Sequence, residues 1–174
     1  MRRHLAVWIL GAPGAGKSSL VARAGLRPSA DMDGELVRLA AERGVSLIVQ
    51  DAAVITALRR EANARAWSGI PALRFAGEPL VFEVTGDKPV NFENAVSAGR
   101  AVGYLEVGLG VRRPLDACIA GNRARTRIVP DAAVEKSWRA FEDNVVAGTY
   151  TRILDDFVVV ESGDFDLAAH LARF

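Results

Sequence analysis

A glycine-rich segment with one lysine and one hydroxyl residue is the part of this chain whose residue types and spacing predict a definite chemistry. Residues 11–18 read Gly-Ala-Pro-Gly-Ala-Gly-Lys-Ser and directly follow the apolar run 5–10. The three glycines let the backbone curl so that successive N–H groups point at phosphate oxygens, and the next helix adds the positive end of its dipole. The pattern G-x-x-x-x-G-K-[ST] between a strand and a helix predicts a site for the phosphates of a nucleoside triphosphate.

Two side chains of this phosphate loop have predicted tasks. Lys17 reaches the β- and γ-phosphates, and Ser18 offers its hydroxyl to the Mg²⁺ ion that bridges them. The predicted cofactors are therefore ATP and Mg²⁺, with Ser18 as the metal ligand. The remaining predicted nucleotide-binding residues form the turn and the start of the helix: Gly11, Ala12, Pro13, Gly14, Ala15, Gly16 and Ser19.

An acidic pair follows the first helix and offers a general base. The sequence places Asp31 and Asp33 at the end of a predicted second strand, residues 26–30. A carboxylate at Asp33 would face the γ-phosphate and accept the proton of an attacking hydroxyl. The alternative is that Asp31 or Asp33 caps the helix predicted over residues 35–43.

Three arginines within five residues form a second candidate group. Arg123, Arg125 and Arg127 stand just before Pro130. Phosphoryl transfer spreads negative charge over the equatorial oxygens, and a mobile arginine-rich lid, approximately residues 121–130, would supply compensating positive charge. A solvated basic helix end is the alternative, and the presence of the phosphate loop favours the lid.

Residues 45–78 combine basic and aromatic side chains. Arg59 and Arg60 lie on a helix predicted over 51–67, and Trp67 and Phe75 follow. Such a mixture can track a nucleic-acid backbone and stack on a base. An amphipathic helix with a solvated arginine face and Trp67 in the core explains the same residues equally well.

Composition limits the class of protein. The chain has 174 residues, half of them hydrophobic, and a net charge of +1, which predicts one domain over residues 1–174 without a broad basic footprint. A single cysteine, Cys118, excludes a disulfide framework and fits a core thiol in a reducing cytoplasm. His4 and His170 lack partners at zinc-ligand spacing, so no metal cluster is expected. No membrane association is expected either, since the first apolar run is short and leads into the phosphate loop.

The elements that must position these residues alternate between strand and helix. This alternation predicts an α/β protein with the P-loop NTPase fold, in which a parallel sheet of about five strands carries helices on both faces. Ligands in such sheets bind at the carboxyl ends of the strands. Strands are predicted over 5–10, 26–30, 80–84, 104–111 and 157–160, with 45–50 undecided and a loop over 69–79. Helices are predicted over 17–24, 35–43, 51–67, 92–101, 114–123, 132–145 and 167–174, with Asp131 as the N-cap of the helix that starts after it.

The order of these motifs resembles the phage polynucleotide kinase and zeta-toxin group of P-loop kinases. The resemblance rests on the phosphate loop, on Asp31-Met32-Asp33, and on Asn122-Arg-Ala-Arg125 followed by Val129-Pro130. It implies that Asp33 is the base and that Arg125, with Arg127 as a second candidate, is the lid arginine. The group's Asn-x-Asp pattern has Asp31 in its first position here, and Glu83-Val84-Thr85 stands where related phage kinases commonly have Asp-Gly-Thr. Asp31, Glu83 and Thr85 then belong to the acceptor side. For Glu83, assistance to Mg²⁺ through water and pairing with a basic neighbour are the alternatives.

The resemblance implies an ATP-dependent kinase acting on an alcohol group. Among the relatives it is most similar to small phage kinases that act on nucleic acid, either on 5-hydroxymethyluracil in phage DNA or at a 5′-hydroxyl end. DNA is then the expected partner, contacted by Arg59 and Arg60, and the host cytoplasm the expected location. A toxin-like or salvage kinase acting on a nucleotide sugar, nucleoside or antibiotic is the alternative. A non-enzymatic nucleotide switch would lack the base and the lid.

Overall fold

The chain forms a four-stranded parallel sheet with helices on both faces. The computed structural model describes residues 4–47, 52–125, 128–161, 163 and 165–174. The strands are β1 His4–Leu10, β2 Leu80–Val84, β3 Tyr104–Arg112 and β4 Asp156–Glu161. The helices are α1 Lys17–Arg23, α2 Met32–Glu42, α3 Ala52–Ser68, α4 Ile70–Ala76, α5 Val90–Ala101, α6 Leu115–Arg123, α7 Asp131–Val146, α8 Thr149–Ile153 and α9 Leu167–Leu171.

The sheet order puts the strand before the phosphate loop at the centre. The strands run in the order β2-β1-β3-β4, and every neighbouring pair is parallel. From Ala6 to Leu10, β1 is buried on both faces, which explains its unbroken apolar sequence. All four strands therefore end at the same edge, where residues following β1, β2 and β3 can meet.

Each face of the sheet carries its own apolar core. On one face, Trp8 stacks on Phe82 with ring centroids 4.3 Å apart, and Tyr150 closes the layer. On the other face, Ile9 and Leu109 pack with the helices next to the phosphate loop. Cys118 is buried in this second core, which confirms the prediction of a core thiol.

The helices α2 and α3 pack on each other around a small separate core. Leu36 and Leu39 of α2 meet Leu58 and Ala62 of α3. Exposed ion pairs of Arg43 and other residues border this contact. The candidate base, Asp33, stands in the first turn of α2.

The architecture confirms the α/β prediction, and the differences concern single elements. The predicted strand over 26–30 is wrong: only Ser29 pairs with β2, through its backbone N–H to the Val81 carbonyl at 2.7 Å. Pro28 lacks an N–H and cannot extend the ladder. The described sheet therefore has four strands rather than about five. Of the undecided stretch 45–50, residues 45–47 form no strand, and 48–50 lie outside the described residues.

The region 69–79, predicted as a loop, contains the helix α4. Pro71 stands in the first turn of this helix, where a missing N–H costs no hydrogen bond, and Gly77 ends it with φ 73°. The short helix α8 was not predicted. Helix α7 begins at Asp131 without a side-chain cap, so the expectation that Asp131 caps this helix is wrong.

Candidate functional site

The phosphate loop joins β1 to α1 as the sequence predicts. Gly14 and Gly16 have φ 79° and 98°, values that side chains with a Cβ rarely adopt. The Lys17 side chain folds back over the loop, and its Nζ donates to the carbonyls of Gly11 at 2.7 Å and Ala12 at 3.0 Å. The lysine is thus already enclosed by the loop before a phosphate arrives.

Enclosure changes the titration of this lysine. Burial lowers the pKa of Lys17 to about 8, while the Glu83 carboxylate acts in the opposite direction. Arg125 adds to the lowering, and Asp33 opposes it. Three predicted site residues from separate stretches of the chain, Asp33, Glu83 and Arg125, are thus close enough to act electrostatically on one ammonium group.

Ser18 faces the end of the neighbouring strand. Its Oγ donates to the Glu83 Oε2 at 2.6 Å, so β2 brings a carboxylate against the first turn of α1. Mg²⁺ prefers oxygen ligands and keeps several waters, and a hydroxyl beside a carboxylate at a phosphate loop fits that ion. Ser18 would hold Mg²⁺ directly and Glu83 through water, which would supply charge neutralisation to the phosphates.

The sequence leaves open whether Asp31 or Asp33 caps the following helix, and the structure assigns the cap to Asp31. Asp31 Oδ1 accepts from the Gly34 N–H at 2.8 Å and is the N-cap of α2. Asp33 stands in the first turn of that helix rather than at the end of a strand. Its Oδ2 lies 3.0 Å from Nη2 of Arg125, 92 residues further along the chain. Capping therefore belongs to Asp31, and the carboxylate of Asp33 points to the arginine segment.

The segment that carries the three arginines, residues 123–127, is called the arginine segment, and it contributes at least one side chain to the site. Both partners of the Arg125–Asp33 ion pair are about 40% exposed, so solvent reaches the pair and a substrate can separate it. Arg123 instead forms an exposed ion pair with Asp131 at the start of α7. Arg127, the second lid candidate, lies outside the described residues.

Side chains of α7 and α8 hold the turn after β2 in place by hydrogen bonds. Thr85 Oγ1 donates to Asp87 Oδ1 at 2.5 Å, so this hydroxyl is held within the turn itself. The Gly86 carbonyl accepts from the Tyr150 hydroxyl at 2.6 Å and from Nδ2 of Asn144 at 3.2 Å. Sequence reasoning missed Tyr150 and Asn144, because nothing along the chain links them to residue 86.

A cavity of about 230 Å³ adjoins the phosphate loop on the side of β4. Its walls come from α1, from the end of β3 and from the residues after β4, and include Arg23, Arg113 and Glu161. Arg113 also donates to the Gly14 carbonyl at 3.2 Å and so supports the loop from outside. Its neighbour Arg112, at the end of β3, pairs with Glu142 of α7. This space can accept a part of a nucleotide beyond its phosphates.

The basic and aromatic residues of 45–78 separate into two groups. Arg59 and Arg60 are exposed on α3 and form no ion pair with any residue that the structure describes. Trp67, in contrast, stacks on Phe82 with centroids 5.0 Å apart and belongs to the core. Phe75 is 96% exposed. The stacking interpretation thus fails for Trp67, and the two arginines remain candidates for a substrate contact.

The part of the chain that the structure describes contains no group of three or more His, Cys, Asp or Glu side chains arranged to hold a metal ion. None of its helices combines the length and the apolar composition that a membrane span requires.

Comparisons with known proteins identify the fold. No family model and no curated protein matches the sequence. A candidate kinase from Chloroflexus aurantiacus is similar in structure, with a TM-score of 0.67 and 15% identity over 99% of this chain and 95% of that one. A structure from the PezAT toxin–antitoxin system of Streptococcus pneumoniae has a TM-score of 0.69 and 14% identity, covering 99% and 77%. Deoxyadenosine kinase from M. mycoides with bound dATP has 0.57 and 14%, covering 98% of both chains. At these identities the likeness establishes a shared fold.

Proposed function

We propose that this chain is an ATP- and Mg²⁺-dependent kinase that transfers the γ-phosphoryl group to a hydroxyl on nucleic acid. The observation that carries the proposal is the contact of Arg125 with Asp33 beside Lys17, which joins a base and a mobile cation to a phosphate loop. A nucleotide switch needs the loop but not this pair. The shared fold with a deoxyadenosine kinase that binds dATP supports the nucleotide assignment.

The proposed reaction assigns one task to each side chain. Lys17 leaves the loop carbonyls and binds the β- and γ-phosphates, and Arg125 leaves Asp33 to follow the charge on the transferring group. The Asp33 carboxylate takes the proton of the acceptor hydroxyl. The acceptor oxygen forms a bond to the γ-phosphorus while the bond to the bridging β–γ oxygen breaks, and ADP leaves with that electron pair.

For the acceptor we propose nucleic acid, with 5-hydroxymethyluracil in phage DNA or a 5′-hydroxyl end as the group modified. Arg59 and Arg60 support this choice, since two adjacent exposed guanidiniums that form no ion pair with the described residues are available to a phosphate backbone. A base inside a duplex would have to leave the stack to bring its hydroxyl to Asp33.

A small-molecule acceptor, such as a nucleotide sugar, nucleoside or antibiotic, is the second candidate. It is favoured by the burial of Trp67 against Phe82 and by the enclosure of Arg74, which donates to the Ala95 carbonyl at 2.7 Å. The sequence offered Trp67 for stacking on a base, and Arg74 is another cation of the region 45–78. Both side chains instead make contacts within the protein, which leaves fewer residues of this region to contact a nucleic acid.

Incubation with γ-labelled ATP distinguishes the acceptors. The panel contains duplex and single-stranded DNA with 5-hydroxymethyluracil, matched thymine DNA, oligonucleotides with 5′-hydroxyl ends, nucleosides and nucleotide sugars. Label on hydroxymethyluracil DNA above the thymine control, or on 5′-hydroxyl ends, supports the nucleic-acid acceptor. Label only on a small molecule refutes it and establishes the second candidate. No label on any acceptor contradicts the kinase assignment.

The arginine pair on α3 provides a second test. Replacing Arg59 and Arg60 together with Ala should raise the KM for DNA about tenfold, leave the KM for ATP nearly unchanged, and flatten the dependence of DNA binding on salt concentration. Replacement of Arg27 and Lys136, two exposed cations elsewhere, is the control that removes the same charge. Equal effects of the two double variants would show that only overall charge matters.

A further inference from the structure

A buried amide joins the two ends of the arginine segment. Asn122, in the last turn of α6, is fully buried. Its Nδ2 donates to the Val129 carbonyl at 2.7 Å, and its Oδ1 accepts from the Val129 N–H at 3.1 Å. Both edges of one amide are thus satisfied by the backbone of a single residue seven positions later. Burial of an amide is costly without such partners, so the pairing is strongly specified.

The helix that carries this amide lies directly against the phosphate loop. A Cβ on Gly121 would meet the Gly14 carbonyl oxygen at 2.6 Å, and a Cβ on Gly14 would meet the Cys118 carbonyl oxygen at 2.0 Å. Neither position has room for a side chain. Loop and helix are therefore in backbone contact, one residue away from Asn122.

The other end of the segment is anchored as well. Val129 packs against the core beneath the phosphate loop, and α7 starts two residues later. Arg125 follows Asn122 by three residues and reaches Asp33. An exposed ion pair between Arg123 and Asp131 also links these ends, and exposed pairs contribute little to stability.

We propose that Asn122 is a positioning residue that fixes the arginine segment to the phosphate loop, so that Arg125 is delivered to the transferring phosphoryl group. The kinetic part rests on the proposed function. Without the amide, the ends of the segment separate, Arg125 samples a larger volume, and its effective concentration at the phosphates falls. The loss affects the transition state more than the bound ATP, because the arginine is recruited as charge develops.

Two variants test this role through catalysis. Asn122→Leu removes both hydrogen bonds at nearly constant volume, and Asn122→Asp keeps the acceptor but sets a carboxylate against the Val129 carbonyl. Both should lower kcat 10- to 100-fold and change the Kd of ATP less than threefold. In the Asn122→Leu background, Arg125→Ala should cost much less than it does in the unchanged protein, so that the double variant is no slower than Arg125→Ala alone. Independent, multiplying losses from the two substitutions would overturn the proposal. Asp131→Asn, which weakens only the exposed ion pair, is the control and should stay within twofold of the parent kcat.

We call the pairing of Asn122 with the Val129 backbone the clamp. Proteolysis and hydrogen exchange test it without any kinase assay. Trypsin should cleave after Arg123 and Arg125 at least tenfold faster in Asn122→Leu than in the unchanged protein or in Asp131→Asn. In the unchanged protein, the Val129 amide should exchange much more slowly than exposed amides of the same segment. Equal cleavage rates, or rapid exchange at Val129, would overturn the clamp. If the clamp holds and no acceptor is labelled, the proposed function fails while the structural role of Asn122 stands. If the variants do not fold, exchange at Val129 in the unchanged protein decides alone.

Discussion

Among single residues, Lys17 is expected to make the affinity for ATP depend on pH. Its pKa is lowered to about 8 by burial, and a bound triphosphate favours the charged form and raises that pKa again. Below pH 8 the ammonium is charged with or without ATP. Above pH 8 the free protein has lost the proton, so binding must take one up, and the affinity should fall by up to about tenfold per pH unit.

Isothermal titration calorimetry at pH 8.5, in two buffers with different ionisation enthalpies, measures this uptake directly. We expect more than half a proton to be taken up per ATP bound, and none in Lys17→Arg, whose guanidinium stays charged throughout. A lack of buffer dependence in the unchanged protein would contradict the assignment of Lys17.

Arg125 is expected to act on the rate rather than on ATP binding. Arg125→Ala should reduce kcat by on the order of 10²-fold or more, as for other arginines that stabilise phosphoryl transfer, with a much smaller change in the Kd of ATP. Arg123→Ala is the matched control, since that side chain pairs with Asp131 instead. An unchanged kcat in Arg125→Ala, together with a severe loss in Arg127→Ala, would move the role by two residues.

At the scale of elements, a buried carboxylate joins the strands to α4. Glu106 on β3 is fully buried; its Oε2 accepts from Nε1 of Trp8 at 2.6 Å, and its Oε1 has no hydrogen-bond partner among the described residues. The Nη2 atom of Arg74, on α4, lies 3.9 Å from that Oε1 atom. Burial raises the pKa of Glu106 to about 7, and the bond from Trp8 only partly opposes this.

The raised pKa gives a stability prediction with a definite sign. Between about pH 4.5 and pH 7 the folded protein binds more protons than the unfolded chain, so the free energy of unfolding decreases as the pH rises through this window. The change is on the order of 2–3 kcal/mol. Urea unfolding at pH 5 and pH 8 should show this loss in the unchanged protein and not in Glu106→Gln. Parallel pH dependences would contradict the prediction.

The elements also show why the sequence predicts some features and not others. The phosphate loop was predictable because its function resides in consecutive residues, whose spacing alone determines the backbone curl. The helix α4 was missed because Pro71 and two nearby glycines indicate a loop, although Pro in a first turn and Gly just after a helix suit a short helix equally well.

Contacts between distant residues were beyond the reach of the sequence. Asn122 with Val129 and Tyr150 with Gly86 depend on how helices pack, and neither pair has a motif of its own. Asp33 is an intermediate case. Its role as the base stays a prediction, and its position follows from the helix capped by Asp31 and not from a strand.

At the scale of the whole molecule, one sheet edge collects side chains from four stretches of the chain. β1 leads to Lys17, β2 to Glu83, the start of α2 to Asp33, and the segment after α6 to Arg125. Lys17 contacts two loop carbonyls, and Arg125 contacts Asp33. Under the proposed function, both cations move to the phosphates of ATP and Asp33 serves as the base.

The comparison of Asp33→Asn with Asp31→Asn tests this account most directly. Asn caps helices as well as Asp does, so Asp31→Asn preserves α2 and serves as the matched control. The measurement is the single-turnover rate of phosphoryl transfer from ATP to the labelled acceptor, together with the Kd of ATP. We predict that Asp33→Asn lowers this rate by about 10²- to 10⁴-fold at nearly unchanged ATP affinity, and that Asp31→Asn remains within a few-fold of the parent. A normal transfer rate in Asp33→Asn, or a greater loss in Asp31→Asn, would contradict the assignment of Asp33 as the base.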